Sequence, residues 1–295
     1  MFDHRVEDVR LRVAGVELSG LSVEPVGEAR ASILALHGGG MRASYFHGQA
    51  SPDLSLLSLA SRLGYRVLSI DRPGYGASSG LGRPGASIAG QAAICLAALD
   101  TFSAGRDTGA GWGVVAHSYG MKVAIAMAAN DEKAQLVGID CSGAGIRFDG
   151  AALSHLGGEQ DPQARRDFFW GPRELYPPGT FQPGRIDFAE VPAEESEEAP
   201  TWPDQLPGYA TRVRVPVRYT VAEYERWWDV SPGALEEFRS LFTQTPRVEV
   251  DHQPGAGHNI SLGYSAEPYH RRALAFIDEC CALREQGGTY PGAKR

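Results

Sequence analysis

Gly113-Val114-Val115-Ala116-His117-Ser118-Tyr119-Gly120-Met121-Lys122 is the stretch on which the reading of this chain turns. A short apolar run ends in a serine with small residues, Ala116 and Gly120, two places to either side. An alanine-rich segment, Met121 to Asn130, follows without a break. The pattern predicts a buried strand, a very tight turn and a helix, with Ser118 at the apex. A turn that sharp strains the serine backbone, and larger flanking side chains would collide where strand and helix cross. The helix N-terminus then points at the hydroxyl, so an oxyanion forming there meets a backbone N–H. Taken alone, the stretch also fits a serine in an ordinary strand-to-helix loop; the motifs around it separate the two.

Upstream, Ala31 to Leu36 is a continuous apolar run, as expected of a strand buried on both faces, and it ends in His37-Gly38-Gly39-Gly40-Met41. Three successive glycines let a backbone approach a ligand closely and present N–H groups, although alone they also fit a flexible turn. Tyr65 to Ile70 is another strand, followed by Asp71-Arg72-Pro73-Gly74-Tyr75-Gly76-Ala77-Ser78. Downstream, the β-rich run Val213 to Val221 leads into Ala222-Glu223-Tyr224-Glu225-Arg226-Trp227-Trp228. A last strand, Arg247 to His252, precedes Pro254-Gly255-Ala256-Gly257-His258-Asn259. A histidine in a glycine-flanked loop after a strand is poorly suited to core packing. His37 and His117 also sit at strand ends, but they belong to the glycine loop and the serine turn.

These segments together resemble the α/β-hydrolases. The serine turn is similar to their nucleophile elbow, with Ala116 where glycine is usual, and His37 to Gly40 is similar to their oxyanion loop. Asp71 to Ser78 closely resembles the loop after their fourth strand, whose job is structural, so Asp71 and Arg72 are read as loop-holding residues. The resemblance spans nearly the whole chain apart from one insertion. It implies an α/β fold with a mostly parallel eight-stranded sheet, helices on both faces and an inserted lid or cap. It also implies Ser118 as nucleophile, His258 as base, and oxyanion donors at Tyr119 and at Gly39 or Gly40. Counting ten from Pro216, where such chains place their acid, lands on Glu225. Glutamate there replaces the more frequent aspartate, and Ala222 stands where glycine is common. Glu223 and Asp140, the latter after the strand Gln135 to Ile139, remain alternative acids. Ser142 competes weakly as nucleophile, because Asp140 and Ala144 suit a tight turn badly. The chain order Ser118, Glu225, His258 is the one expected of this fold. A serine nucleophile argues against the dehalogenase and epoxide-hydrolase branches, which need a carboxylate.

With 295 residues, 43% of them hydrophobic, the chain can bury a full core and suits one α/β domain with an insertion, or two small domains. Between about Gly145 and Arg212 the alternation of strands and helices stops. This segment is rich in proline and aromatics (Phe168-Phe169-Trp170, Tyr176-Pro177-Pro178, Trp202-Pro203) and carries the acid run Glu194-Glu195-Ser196-Glu197-Glu198. A structureless loop of that length is suspect, so residues 145–212 are read as a lid inserted between core segments 1–144 and 213–295. Its aromatics suit the lining of an apolar pocket, or they glue the insertion down.

The net charge of −8 argues against nucleic acid and anionic membrane partners. No apolar run is long enough to span a bilayer, and the N-terminus lacks an apolar leader. Cys95, Cys141, Cys280 and Cys281 show no metal-ligand spacing, and a reducing cytoplasm is their simplest setting. No metal or organic cofactor is implied. The expected partner is a free, mostly apolar small-molecule substrate, since the acid run makes an acidic carrier protein unattractive unless it faces away. Self-association through an acidic face, giving a homo-oligomer, stays open. The expected activity is that of a serine esterase acting on an ester, lactone or thioester. Two other classes stay open: a lyase or cyclase of specialised metabolism on the same fold, and a small-molecule binding protein.

Overall fold

The alternation of short apolar runs with amphipathic segments builds eight strands and nine helices among the described residues of a computed structural model, 5–155 and 162–287; side chains are described for all of these but 153–155 and 162–165. Residues 1–4, residues 156–161 of the segment read as a lid, and residues 288–295 of the tail Gly287 to Arg295, which its sequence suggests is frayed, lie outside the described residues. The strands are β1 (Glu7–Val13), β2 (Val16–Val23), β3 (Ala31–Leu36), β4 (Tyr65–Ile70), β5 (Trp112–His117), β6 (Leu136–Ser142), β7 (Val217–Tyr224) and β8 (Val248–Gly257). The helices are α1 (Leu56–Arg62), α2 (Ile88–Ser103), α3 (Tyr119–Ala129), α4 (Gly150–His155), α5 (Pro162–Trp170), α6 (Ala193–Glu198), α7 (Trp202–Ala210), α8 (Pro232–Leu241) and α9 (Ala266–Glu285).

One sheet holds the strands in the order β1-β2-β4-β3-β5-β6-β7-β8. The β1–β2 hairpin and its junction with β4 are antiparallel, and every other pairing is parallel. The hairpin turn is Ala14-Gly15, both at positive φ, as a tight two-residue hairpin requires. All residues of β3, β4, β5 and β6 are buried. Their apolar side chains go both ways: Leu34 and Leu36 join a core with α2 and α3, while Ile33 and Ala35 join one with α1 and α9. This is why these strands read as continuous apolar runs rather than alternating ones.

Helix α1 is capped by Ser55, whose side chain accepts from the Ser58 N–H. Not every element begins where the sequence places it. The run from Val213 pairs only from Val217 onward. Helix α8, unread in the sequence, is capped by Ser231 with Pro232 at its first position. Residues between β6 and β7 form α4 to α7 and no strand among the described residues. All parallel strands end on the same edge of the sheet, and there the loops carrying the candidate residues converge.

Candidate active site

β5 ends at His117 and α3 begins at Tyr119, so Ser118 alone makes the turn. Its φ of 54° and ψ of −119° place a non-glycine residue in a strained conformation, worth about 1–3 kcal/mol. The Ser118 N–H donates to Ser142 O at 2.7 Å, which ties the turn to β6. A Cβ at Gly120 would collide with the backbone carbonyl of Leu36, which is why the residue two places on must be glycine.

The partners arrive through strand register. β7 and β8 run parallel, with Ala222 opposite Gln253 but Tyr224 opposite Gly257. This irregularity brings the residues that follow, Glu225 and His258, out side by side. His258 Nδ1 lies 2.8 Å from Glu225 Oε2, and its Nε2 lies 3.2 Å from Ser118 Oγ. A carboxylate can only accept, so Nδ1 carries the proton and Nε2 is left to take the hydroxyl hydrogen. The side chains of His258 and Glu225 are 4% and 1% exposed. The other carboxylate oxygen accepts from the N–H groups of Arg226 and Trp227 at 3.1 and 2.9 Å, which fixes its direction. His117 packs edge-on against His258, ring centroids 4.8 Å apart, and is itself stacked on Tyr45.

The two alternative acids are engaged elsewhere. Asp140 is buried in an ion pair with Arg218 and accepts from Tyr269 Oη at 3.0 Å. Glu223 is exposed and accepts the Gly255 N–H at 2.7 Å. Ser142 continues β6, its hydroxyl 3.1 Å from His117 Nδ1.

The glycine loop lies directly against the serine. A Cβ on Gly38 would stand 3.0 Å from Ser118 Cβ and 3.5 Å from Ser118 Oγ. His37 is fully buried, and the Arg72 N–H donates to its Nε2 at 3.0 Å. Its proton is therefore on Nδ1, donating to Gly38 O at 2.7 Å. Burial and the neighbouring Arg72 push its pKa down to about 3, so it stays neutral. The Gly40 N–H donates to Tyr75 Oη at 3.2 Å. Of the two glycines read as donors, Gly39 is the one whose N–H meets no acceptor among the described residues. Tyr119, first residue of α3, has no intrahelical acceptor for its N–H.

A sequence profile of the alpha/beta hydrolase family matches residues 33–272, which include the glycine loop, the serine turn and the histidine loop. The chain belongs to that family. No curated protein matches it in sequence. Among solved structures, a carboxylesterase of Bacillus subtilis is similar at 16% identity, covering 92% of each chain with a TM-score of 0.63. An E-2-(acetamidomethylene)succinate hydrolase is similar at 17% identity, covering 93% of this chain and 100% of that one, TM-score 0.62. A thioesterase domain from the curacin biosynthetic pathway is similar at 16% identity, covering 94% and 99%, TM-score 0.57. At these identities the likeness is one of fold. In this α/β-hydrolase no helix among the described residues is long and apolar enough to cross a membrane. Nor could any group of three or more His, Cys, Asp or Glu among them hold a metal.

The acid run of this α/β-hydrolase is not a solvated face. Two of its residues, Glu195 and Glu198, one helical turn apart, face inward, an i, i+3 spacing that is visible in the sequence. Glu195 is 1% exposed and pairs with the fully buried Arg72 at 2.8 Å. Glu198 accepts from the Ile88 N–H at the start of α2, at 2.7 Å, and from Tyr119 Oη at 3.3 Å. Arg72 and Asp71 do hold loops: Arg72 Nε donates to His37 O at 2.7 Å, and Asp71 accepts from Arg42 and from the Ala43 N–H at 2.8 Å.

Lys122, overlooked within the serine motif, is 4% exposed and donates to Ala199 O at 3.1 Å, enclosed by the rings of Tyr119, Trp202 and Trp228. Burial pushes its pKa down from 10.5 to about 7, against the attraction of Glu195 and Glu198. A lysine whose pKa is lower folded than unfolded penalises folding fully below the folded value, and the penalty fades as pH rises to the unfolded one. Lys122→Met is therefore expected to raise the melting temperature most near pH 6 and least about pH 10. Equal shifts at the two pH values would show that the site keeps an ordinary lysine.

Proposed function

We propose that this protein is a carboxylic ester hydrolase that cleaves an ester, lactone or thioester of a mostly apolar small molecule through a Ser118–His258–Glu225 triad. The observation that carries the reading is the unbroken hydrogen-bond chain from a strained Ser118 through His258 to a buried Glu225. A serine hydroxyl is a weak nucleophile by itself. His258 Nε2 takes its proton as Oγ attacks the acyl carbon, and Glu225 holds the ring and stabilises the imidazolium. The carbonyl oxygen becomes an oxyanion facing the N–H groups of Tyr119 and Gly39, each donor worth about 3–4 kcal/mol in such sites. His258 then returns the proton to the leaving alcohol or thiol. Water, deprotonated by the same imidazole, releases the acid and restores Ser118.

The apolar preference is read from the aromatic side chains beside the base. Phe169 lies 6.4 Å from the His258 ring and 4.8 Å from that of Trp227, and its carbonyl accepts from Asn259 at 2.8 Å. Residues 145–212 act as the lid over a core of 1–144 and 213–295 in this reading. A cytoplasmic setting suits four buried cysteines, all unpaired.

The test is labelling with a fluorophosphonate, with turnover measured on p-nitrophenyl acetate, butyrate and octanoate. The expected result is one phosphonyl group, mapped to Ser118 by mass spectrometry, and turnover that changes with chain length. An unlabelled Ser118 and no ester turnover would move the weight to lyase, cyclase or binding roles.

A further inference from the structure

The segment between β6 and β7 reaches back to the glycine loop, and one carboxylate sits at the centre of the contact. Glu195, from α6, receives four donors: two from Arg72 at 2.8 and 3.1 Å, Tyr75 Oη at 2.8 Å and Gln91 Nε2 at 3.4 Å. The ties through Arg72 and Tyr75 continue into the loop. Arg72 Nε donates to His37 O, and Tyr75 Oη accepts the Gly40 N–H. Between these two anchors, a Cβ on Gly39 would stand 3.1 Å from Glu195 Oε1, so the carboxylate fills the space that a side chain there would occupy. The Ala189 N–H donates to Gly40 O at 2.9 Å from the same segment.

We propose that Glu195 is a positioning residue for the oxyanion loop, holding the Gly39 peptide with its N–H toward the reacting carbonyl. The proposal rests on the triad reading above, because it takes Gly39 as an oxyanion donor. A donor aimed at a transient charge must be held in place before that charge appears, since reorganising it during the reaction raises the barrier. Glycine peptides supply the close approach but no side chain to fix them. The rigidity comes from outside the loop, from a carboxylate whose donors are themselves buried.

Three roles for Glu195 predict different signs. A positioning role predicts that Glu195→Gln lowers kcat for p-nitrophenyl butyrate about 10- to 100-fold, with KM within about threefold. The rate of phosphonylation by a fluorophosphonate falls in parallel, and hydrogen exchange speeds up in the peptide covering residues 37–46. A purely electrostatic role predicts the reverse, because removing a negative charge beside the oxyanion and leaving Arg72 in place favours the transition state. A merely structural role lowers the melting temperature and leaves kcat per folded molecule unchanged. Either of these two results overturns the proposal. Should Glu195→Gln not fold, the double variant R72M/E195L removes both charges and is expected to restore folding. The positioning role requires its kcat to stay low, and full recovery overturns it. A wild type that neither turns over esters nor is labelled at Ser118 overturns the triad reading and this proposal together. A labelled wild type with an unaffected Glu195→Gln overturns this proposal alone.

Discussion

Glu225→Gln is expected to lower kcat/KM on p-nitrophenyl esters by about 10³–10⁴-fold, with little change in melting temperature. The amide keeps the shape of the carboxylate and one oxygen to accept from the N–H groups of Arg226 and Trp227. What it loses is the charge, and with it the preference for a proton on His258 Nδ1. A glutamine that turns its NH₂ toward the ring donates to Nδ1 and drives the proton to Nε2, where it faces the serine and cannot accept. The imidazolium formed during attack also loses its counter-charge. The two rival acids supply the controls. Glu223→Gln, at an exposed residue whose carboxylate meets only the Gly255 N–H among its described hydrogen bonds, is expected to stay within about twofold of wild type. Asp140→Asn leaves Arg218 buried with one partner fewer, so stability falls while kcat per folded molecule is retained. Activity lost with Asp140 or Glu223 and kept with Glu225→Gln would assign the acid elsewhere.

Ser118→Ala is expected to lower turnover at least about a hundredfold, and up to about 10⁶-fold if hydrolysis proceeds only through the acyl-enzyme. The fold tolerates the change, since the hydroxyl's described contact is the one to His258 Nε2 and the positive φ must be adopted by either residue. Phosphonylation should vanish with turnover. The residual rate then measures what the oxyanion donors and His258 achieve with water alone. Equal turnover by mutant and wild type would mean that ester cleavage does not use this serine.

The sequence by itself determined where the candidate site residues lie. Ser118 between Ala116 and Gly120, the triple glycine after β3 and His258 after β8 are local signals. Ser118 and Gly40 sit at positive φ and Gly257 has no room for a Cβ, so composition over a few positions suffices to read them. The same holds for β3, β4 and β5, whose burial on both faces forces unbroken apolar runs.

What depends on contacts between distant segments was not legible. Glu225 could be counted to but not separated from Glu223 and Asp140, because the choice depends on the β7–β8 register irregularity that sets Glu225 beside His258, and on Arg218 occupying Asp140. The acid run at 194–198 packs four like charges into five residues, which ordinarily stay in water. Only the fold brings Arg72 from 123 positions away to meet Glu195, and the Ile88 N–H to meet Glu198. Lys122 reads as an ordinary charge within α3 until Trp202 and Trp228 close over it. Local backbone demands leave their mark on neighbouring residues, whereas a buried charge is explained by a partner that the chain order does not reveal.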